Sequence, residues 1–239
     1  MLTLEPLTPA PPETVAAALA DVAALGSFFT LPIDGTGDGW RPVRDAYATG
    51  LEHLVAERAA RYGTPELRIA ASVVQLGHAC RLWAPLLGCV VVHGVVPDLG
   101  DLRQRTDGPG LSLPEPRGWW APCGETLVAV LYEQVVTGHL VPLAAGLRVK
   151  VATGLLYGNA ASALAEAARD LRRARPDLRD SIAWLAGELL GTGKLRGKGE
   201  FTRPDLAFRR RTCCLYHRVP GGSRCGDCSL DRKRPSSRG

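Results

Sequence analysis

The chain has 239 residues, of which 46% are hydrophobic and 22% charged, with a formal net charge of +5. That length can bury one large core or two small ones, and the composition excludes wholesale disorder. The first residues lack the basic flank and apolar core of a secretory signal. The longest uncharged apolar run, residues 82–92, falls short of the ~20 residues of a membrane span. The expectation is a soluble, cytoplasmic protein with no transmembrane segment, for which peripheral membrane contact stays open.

Taken in chain order, a proline-rich lead-in at residues 9–12 precedes a helix opened by Thr14, with apolar residues at helical spacing. Residues 34–40 read as a Gly/Asp loop. A second helix is predicted over 50–62 and a third from 65 to about 87. The third is apolar nearly all round, as a core helix is. Residues 89–96 are β-branched enough to form either a strand or the tail of that helix. Across 99–122, Gly108-Pro-Gly, Pro114, Pro116 and the pair Trp119-Trp120 break helical periodicity and predict a small hairpin or extended segment. Helical patterning resumes over 125–147, with Pro142 as a kink or break. It recurs over 149–173, around Tyr157-Gly-Asn-Ala-Ala-Ser, and over 181–190. A glycine-rich, cationic turn at 191–199 leads to the C-terminal segment. The fold class this predicts is mainly α with a small β element (α+β). A helical domain over 1–198 is followed by a compact module over 199–230 and a disordered basic tail over 231–239.

Charge is divided along the chain. From residue 194 to the C-terminus there are 13 Lys/Arg against 4 Asp/Glu, leaving the rest of the chain acidic. The same basic segment holds four of the seven cysteines: Cys213, Cys214, Cys225 and Cys228. Two adjacent thiols, ten residues, then a C-x-x-C pair make four soft donors that the Pro220-Gly-Gly turn can bring together. Three chemistries suit them. Cys225-Gly-Asp-Cys228 alone could be a thioredoxin-like redox pair, but no strand precedes it as in a βαβ unit. A structural zinc site ordinarily uses two C-x-x-C knuckles or a Cys/His mixture, whereas here the first pair is vicinal. An iron–sulfur cluster takes two thiolates on each iron and tolerates wider separation between ligand pairs. His217 does not make a Rieske centre, which needs two histidines.

Cys-Cys-x10-Cys-x2-Cys near the C-terminus, with Arg-Arg just upstream and Pro-Gly-Gly in the spacer, resembles the ferric siderophore reductase (FhuF-type) family over residues 209–230. Tyr157-Gly-Asn159-Ala-Ala-Ser resembles a second signature of that family more loosely. The resemblance implies a C-terminal [2Fe–2S] cluster with Cys213, Cys214, Cys225 and Cys228 as its ligands. It also implies an oxidoreductase that reduces ferric iron in siderophores in the cytoplasm. No P-loop, G-x-G-x-x-G or nucleophile elbow appears, so the electron must come from an external donor of the ferredoxin or flavin reductase type.

Arg209, Arg210, Arg211, Arg218 and Arg224 surround the cysteines in sequence. Cations there favour a more negative, reduced centre and draw in an anionic ferric complex. Arg218 and Arg224, with Trp119 and Trp120 as an aromatic platform, are the candidate substrate residues, which predicts docking between residues 99–120 and the arginine-bearing loop. The rival is a zinc-stabilised module using the basic segment to hold an acidic partner or nucleic acid. It lacks the interleaved aromatics of a single-strand binding surface, so no nucleic acid is expected. Cys80, Cys89 and Cys123 read as buried, inert thiols, and His93 and His139 as hydrogen-bonded core histidines. His78 with Cys80 is a poor metal site. Asn159 either bonds the cluster loop or caps a kink.

Overall fold

A computed structural model describes residues 7–230, so the tail expected over 231–239 lies outside the described residues. The order of elements is α1 (Pro12–Ala23), β1 (Trp40–Pro42), α2 (Val43–Ala48), α3 (Glu52–Tyr62), α4 (Leu67–His93), β2 (Val95–Pro97), β3 (Arg103–Arg105), β4 (Leu111–Ser112), β5 (Gly118–Trp120) and α5 (Gly124–Tyr132). A π-helical stretch (Glu133–Leu140) joins α5 to α6 (Val141–Gly146). Then come α7 (Thr153–Ala174), α8 (Arg179–Leu190), β6 (Gly199–Phe201) and β7 (Phe208–Arg210). The described residues are mainly helical with three small antiparallel sheets, ordered β1-β3-β4, β2-β5 and β6-β7.

The central pair is α4 and α7. Helix α4 is buried on most faces, and α7 meets it through small residues, among them Ala160, Ala161, Ala163, Ala167 and Ala168. Side chains this short bring the two backbones close, so polar groups projecting between them must bond to each other. Helices α1 and α3 pack on α4, and α8 on α7. The β6-β7 hairpin lies on α7, and its Leu206 and Phe208 join the same buried cluster as the helical body.

Several boundaries differ from the sequence-based expectation. Residues 89–96 divide between the two readings: α4 runs on to His93, Gly94 ends it in the left-handed conformation, and the strand starts at Val95. The short α2 falls where no periodicity is long enough to show it. Pro142 does not break its helix, because it lies in the first turn of α6, where a missing N–H costs least. The irregularity sits upstream, in the π-helical turns. They place Gln134 and His139 on one residue: the Gln134 side-chain Oε1 accepts from the Leu99 N–H (3.0 Å) and His139 Nε2 donates to the Leu99 carbonyl (3.0 Å).

His139 is a buried, hydrogen-bonded core histidine, as expected, and its Nδ1 lies 3.0 Å from the Tyr47 hydroxyl, which also meets His78 Nε2 at 2.7 Å. Because Nε2 donates, Nδ1 must accept, so the Tyr47 hydroxyl donates to His139 and accepts from His78. Burial holds both imidazoles well below their ordinary range, His78 to about 3 and His139 to about 4, so both are neutral. Two thiol and histidine expectations are corrected. Cys123 is exposed, because it stands at the entry to α5 rather than inside it, while Cys80 and Cys89 are buried as expected. His93 is only half-buried, and its Nε2 meets the Asp21 carboxylate on α1 at 2.9 Å.

Among the described residues, α4 and the continuous helix Gly124–Gly146 are long and apolar enough, by length and composition alone, to cross a membrane. The apolar-run criterion missed both because scattered polar residues interrupt them. Two thirds (67%) of the most apolar window of α4 is buried inside the protein, as befits a core helix.

The contact between α2 and the end of α6 has no spare room. A methyl group at Gly146 would overlap the carbonyl oxygen of Tyr47, which is backbone and has nowhere to go. Gly146→Ala should therefore destabilise the protein by about 1–3 kcal/mol or more. Thermal unfolding should show this as a fall in Tm of roughly 4–10 °C. An unchanged Tm would mean that this helix end is not packed as described.

Candidate metal centre

The cysteine segment is laid down by β7. Phe208 and Arg210 of that strand point into the protein, and the next residue but one, Thr212, sits against α7 where Gly158 leaves space. A methyl at Gly158 would overlap the Thr212 hydroxyl, so glycine is what allows this approach. The vicinal cysteines then part. Leu215 adopts a left-handed conformation (φ 70°) before the 3-10 turn Tyr216–Arg218, which bends the backbone immediately after Cys214. Gly221, also left-handed, and Gly222, pressed against the carbonyls of Tyr216 and Val219, reverse the chain toward Cys225.

The thiols differ in exposure: Cys214 and Cys228 are buried, whereas Cys213 and Cys225 are half-buried. The sulfurs of Cys214 and Cys225 lie 3.6 Å apart. That is close to the ~3.8 Å edge of a tetrahedron with metal–sulfur bonds of ~2.3 Å. Cys213 Sγ accepts the Leu215 N–H (3.3 Å) and lies 3.3 Å from His217 Nδ1, while Cys228 Sγ accepts the Leu230 N–H (3.4 Å). Hydrogen bonding to Cys225 holds the Cys214 thiol well below the ordinary thiol range, and the Arg210 guanidinium acts in the same direction. Its partner Cys225, hydrogen-bonded in turn to Cys214, is raised. One of the pair is thus poised to be a thiolate, the form that binds metals.

The segment is fastened to the helical body by a buried polar seam. Arg210 is 2% exposed and its Nη2 donates to Asn159 Oδ1 on α7. Asn159 Nδ2 donates across to α4, to the Ser72 carbonyl (2.9 Å), Ser72 Oγ (3.1 Å) and Gln75 Oε1 (3.0 Å). Ser72 Oγ in turn donates to the Cys214 carbonyl (2.8 Å). On the other side, the Arg210 N–H donates to the Asp227 carbonyl (3.1 Å). The Asp227 carboxylate accepts from Ser162 Oγ (2.5 Å) and Arg169 Nη1 (2.9 Å), both on α7. Of the two readings of Asn159, bonding to the cysteine segment is the one observed. The sequence reading missed Ser72, Gln75, Ser162, Arg169 and Asp227, and did not separate Arg210 from the other four arginines around the cysteines. An acid between the two cysteines of a basic C-x-x-C was the available signal for Asp227.

A [2Fe–2S] group asks for four thiolates. Four thiols lie on one folded segment, one pair already at metal-sharing distance. Among the described residues, no group of three or more His, Cys, Asp or Glu side chains is set around a single ion position. A two-iron cluster takes its thiolates two per iron and does not need all four at one point. Arg210 Nε and Nη1 are buried without a hydrogen-bond partner among the described residues. Unmet buried donors cost about 1–3 kcal/mol each, and an anionic group beside Cys214 and Cys225 would satisfy them. The residues fit the group.

Of the other candidate residues, Arg218 and Arg224 lie on the cysteine segment itself, and Trp119 and Trp120 do not gather here. Arg218 and Arg224 are exposed, with Arg218 paired to Glu66 at 2.8 Å. Trp119 and Trp120 lie on β5, paired with β2 at the far end of α4. Roughly 30 Å of helix separates that end from Ser72 beneath Cys214. The expected pairing of Trp119 and Trp120 with the arginine-bearing loop is therefore not formed, because the length of α4 holds the two apart.

These features fit a cysteine-ligated iron–sulfur module on a helical body. Residues 210–230 match the family model described as the FhuF 2Fe-2S C-terminal domain. Over that short stretch the chain is similar to the FhuF type, and the match indicates a [2Fe–2S] cluster as its cofactor. No curated protein and no solved structure matches the chain.

Asp227 gives the seam its most direct test. Asp227→Ala removes both bonds to α7 and leaves Arg169, only 18% exposed, without its partner. Breaking such a pair by removing one side costs about 3–5 kcal/mol. The expected result is faster bleaching of the visible absorbance under a chelator, with the helical circular dichroism retained. Bleaching at the wild-type rate would show that Asp227 does not hold the module.

Proposed function

We propose that this protein is a cytoplasmic ferric siderophore reductase, with Cys213, Cys214, Cys225 and Cys228 as ligands of its cluster. The observation that carries the reading is the split exposure of the cysteines: Cys214 and Cys228 are anchored inside, while Cys213 and Cys225 face outward among exposed His217, Arg218 and Arg224. A centre placed this way is within reach of both an external electron donor and a chelate too large to enter the protein.

When bound by four thiolates, a [2Fe–2S] group supplies one electron at a time. This chain's residues bias that exchange. The buried guanidinium of Arg210 stabilises extra negative charge beside Cys214 and Cys225, which raises the reduction potential. The N–H groups of Leu215 and Leu230, donating to sulfur, act in the same sense. Arg218 and Arg224 supply positive charge at the surface where a ferric complex would approach. In the substrate, Fe(III) is a hard ion held by hard oxygen donors, and one added electron makes it Fe(II), which those donors hold more weakly. The donor's electron is thereby converted into iron release.

Two results are expected together. Serine at any of Cys213, Cys214, Cys225 or Cys228 should remove or badly destabilise the cluster, whereas Cys80→Ser, Cys89→Ser and Cys123→Ser should keep the colour. The dithionite-reduced protein should be reoxidised by at least one ferric siderophore, slowed by salt and about two- to fivefold by Arg218→Ala or Arg224→Ala. Full cluster retention in Cys214→Ser would overturn the ligand set, and failure of every ferric chelate of accessible potential would overturn the reductase.

A further inference from the structure

Beside the cysteine segment, α3 and α4 enclose a cavity of about 230 Å³ with Leu54, Val73 and Val74 in its walls and Arg58, Arg61 and Arg81 around it. Glu57 is the carboxylate of that lining, and Arg61 already holds it at 2.8 Å. Arg58 and Arg81 are half-buried, and among the described residues neither forms an ion pair. Each guanidinium is fixed on one side by neutral groups. Arg58 lies over the Tyr62 ring, 5.5 Å from its centroid, with Nη1 3.3 Å from the Tyr62 hydroxyl. Arg81 donates Nη1 to the Gly77 carbonyl (2.8 Å) and lies over Phe28 at 5.2 Å. His78, also in the wall, is neutral, so with Glu57 offset by Arg61 the cleft keeps a net positive charge from Arg58 and Arg81.

Two partly desolvated cations held side by side without a counter-ion are poised for an anion, since a buried charge is stable only when paired. Burial lowers Arg81 from its ordinary range, and Arg58 repels it further. Planar guanidinium forks match carboxylates, which they take up bidentately. The volume is below that of most ligand sites, which suits a carboxylate arm and not a whole chelate. The cleft is also joined to the cysteines: Tyr62, beneath Arg58, packs edge-on against Tyr216 of the cluster segment, ring centroids 5.7 Å apart.

We propose that the α3–α4 cleft binds a free carboxylate arm of an α-hydroxycarboxylate (citrate-type) ferric chelate and so presents the iron to the neighbouring centre. The role in reduction rests on the reductase reading; the binding does not. Gallium(III) citrate, a redox-inert stand-in, should bind the full-length protein in calorimetry, with affinity falling as salt is added. Arg58→Gln should weaken it about tenfold or more, and Arg58→Lys, which keeps the charge but loses the fork, by less. Arg173→Gln, at the far end of α7, should bind as wild type. A neutral gallium(III) trihydroxamate should bind more weakly and ignore Arg58→Gln. Circular dichroism checks that each variant is folded, and Arg81→Gln provides a second probe of the cleft.

No binding of gallium(III) citrate, equal affinity in folded Arg58→Gln, or tighter binding of the trihydroxamate would overturn the cleft. Ferric citrate that reoxidises the reduced protein at a rate indifferent to Arg58→Gln would likewise overturn it while leaving the reductase standing. Gallium(III) citrate binding that depends on Arg58, with no electron passing to ferric citrate, would support the cleft and count against the reductase.

Discussion

The constraint on which the rest depends is the burial of one charged side chain, Arg210, between α7 and the thiols. A guanidinium at 2% exposure is tolerable only if its charge and donors are met. Asn159 meets one nitrogen from α7, and the strand's own N–H bonds the Asp227 carbonyl. The two remaining nitrogens are buried without a partner among the described residues. The same residue thus registers β7 on the helical body and places a fixed positive charge beside Cys214 and Cys225. Asn159, Ser72 and Gln75 extend the seam into the core, so that α4, α7 and the module are tied by polar bonds where their neighbours are apolar. Such a seam is costly when half-satisfied and rigid when complete.

This arrangement explains why the body of the protein is built around α4 and α7. A four-cysteine segment rich in glycine and arginine has little apolar area of its own, and below about 40 residues a chain seldom folds unaided. Leu206 and Phe208 lend it part of the main core, and Asp227 clips its far end to Ser162 and Arg169. The helices serve as a platform. They hold the inner thiols still and leave the outer pair and their cations at the surface.

Much of this was legible in sequence. The long helices showed through their periodicity, and the cysteine spacing with its basic surround pointed to the cluster module directly. What stayed hidden was geometry that no local pattern encodes. Asn159 sits in a run of alanines that reads equally as a kink or a partner, and only the crossing of α4 and α7 decides. Arg210 is one arginine of three in a row, and strand alternation alone puts it inward while Arg209 reaches Glu200 at the surface. Trp119 and Trp120 looked like a platform for the ligand because their segment is irregular and aromatic, but the length of α4 puts them at the other end of the molecule. The π-helical turns before Pro142 were invisible because the visible breaker, proline, sits where a helix accepts it.

The central claim is that the four thiols beside Arg210 hold a single two-iron centre that exchanges one electron. Reductive titration of anaerobically purified protein, with iron and acid-labile sulfide measured on the same sample, tests it most directly. About two irons, two sulfides and one electron taken up per chain are expected. One stoichiometric zinc, no sulfide and no electron uptake would contradict that claim.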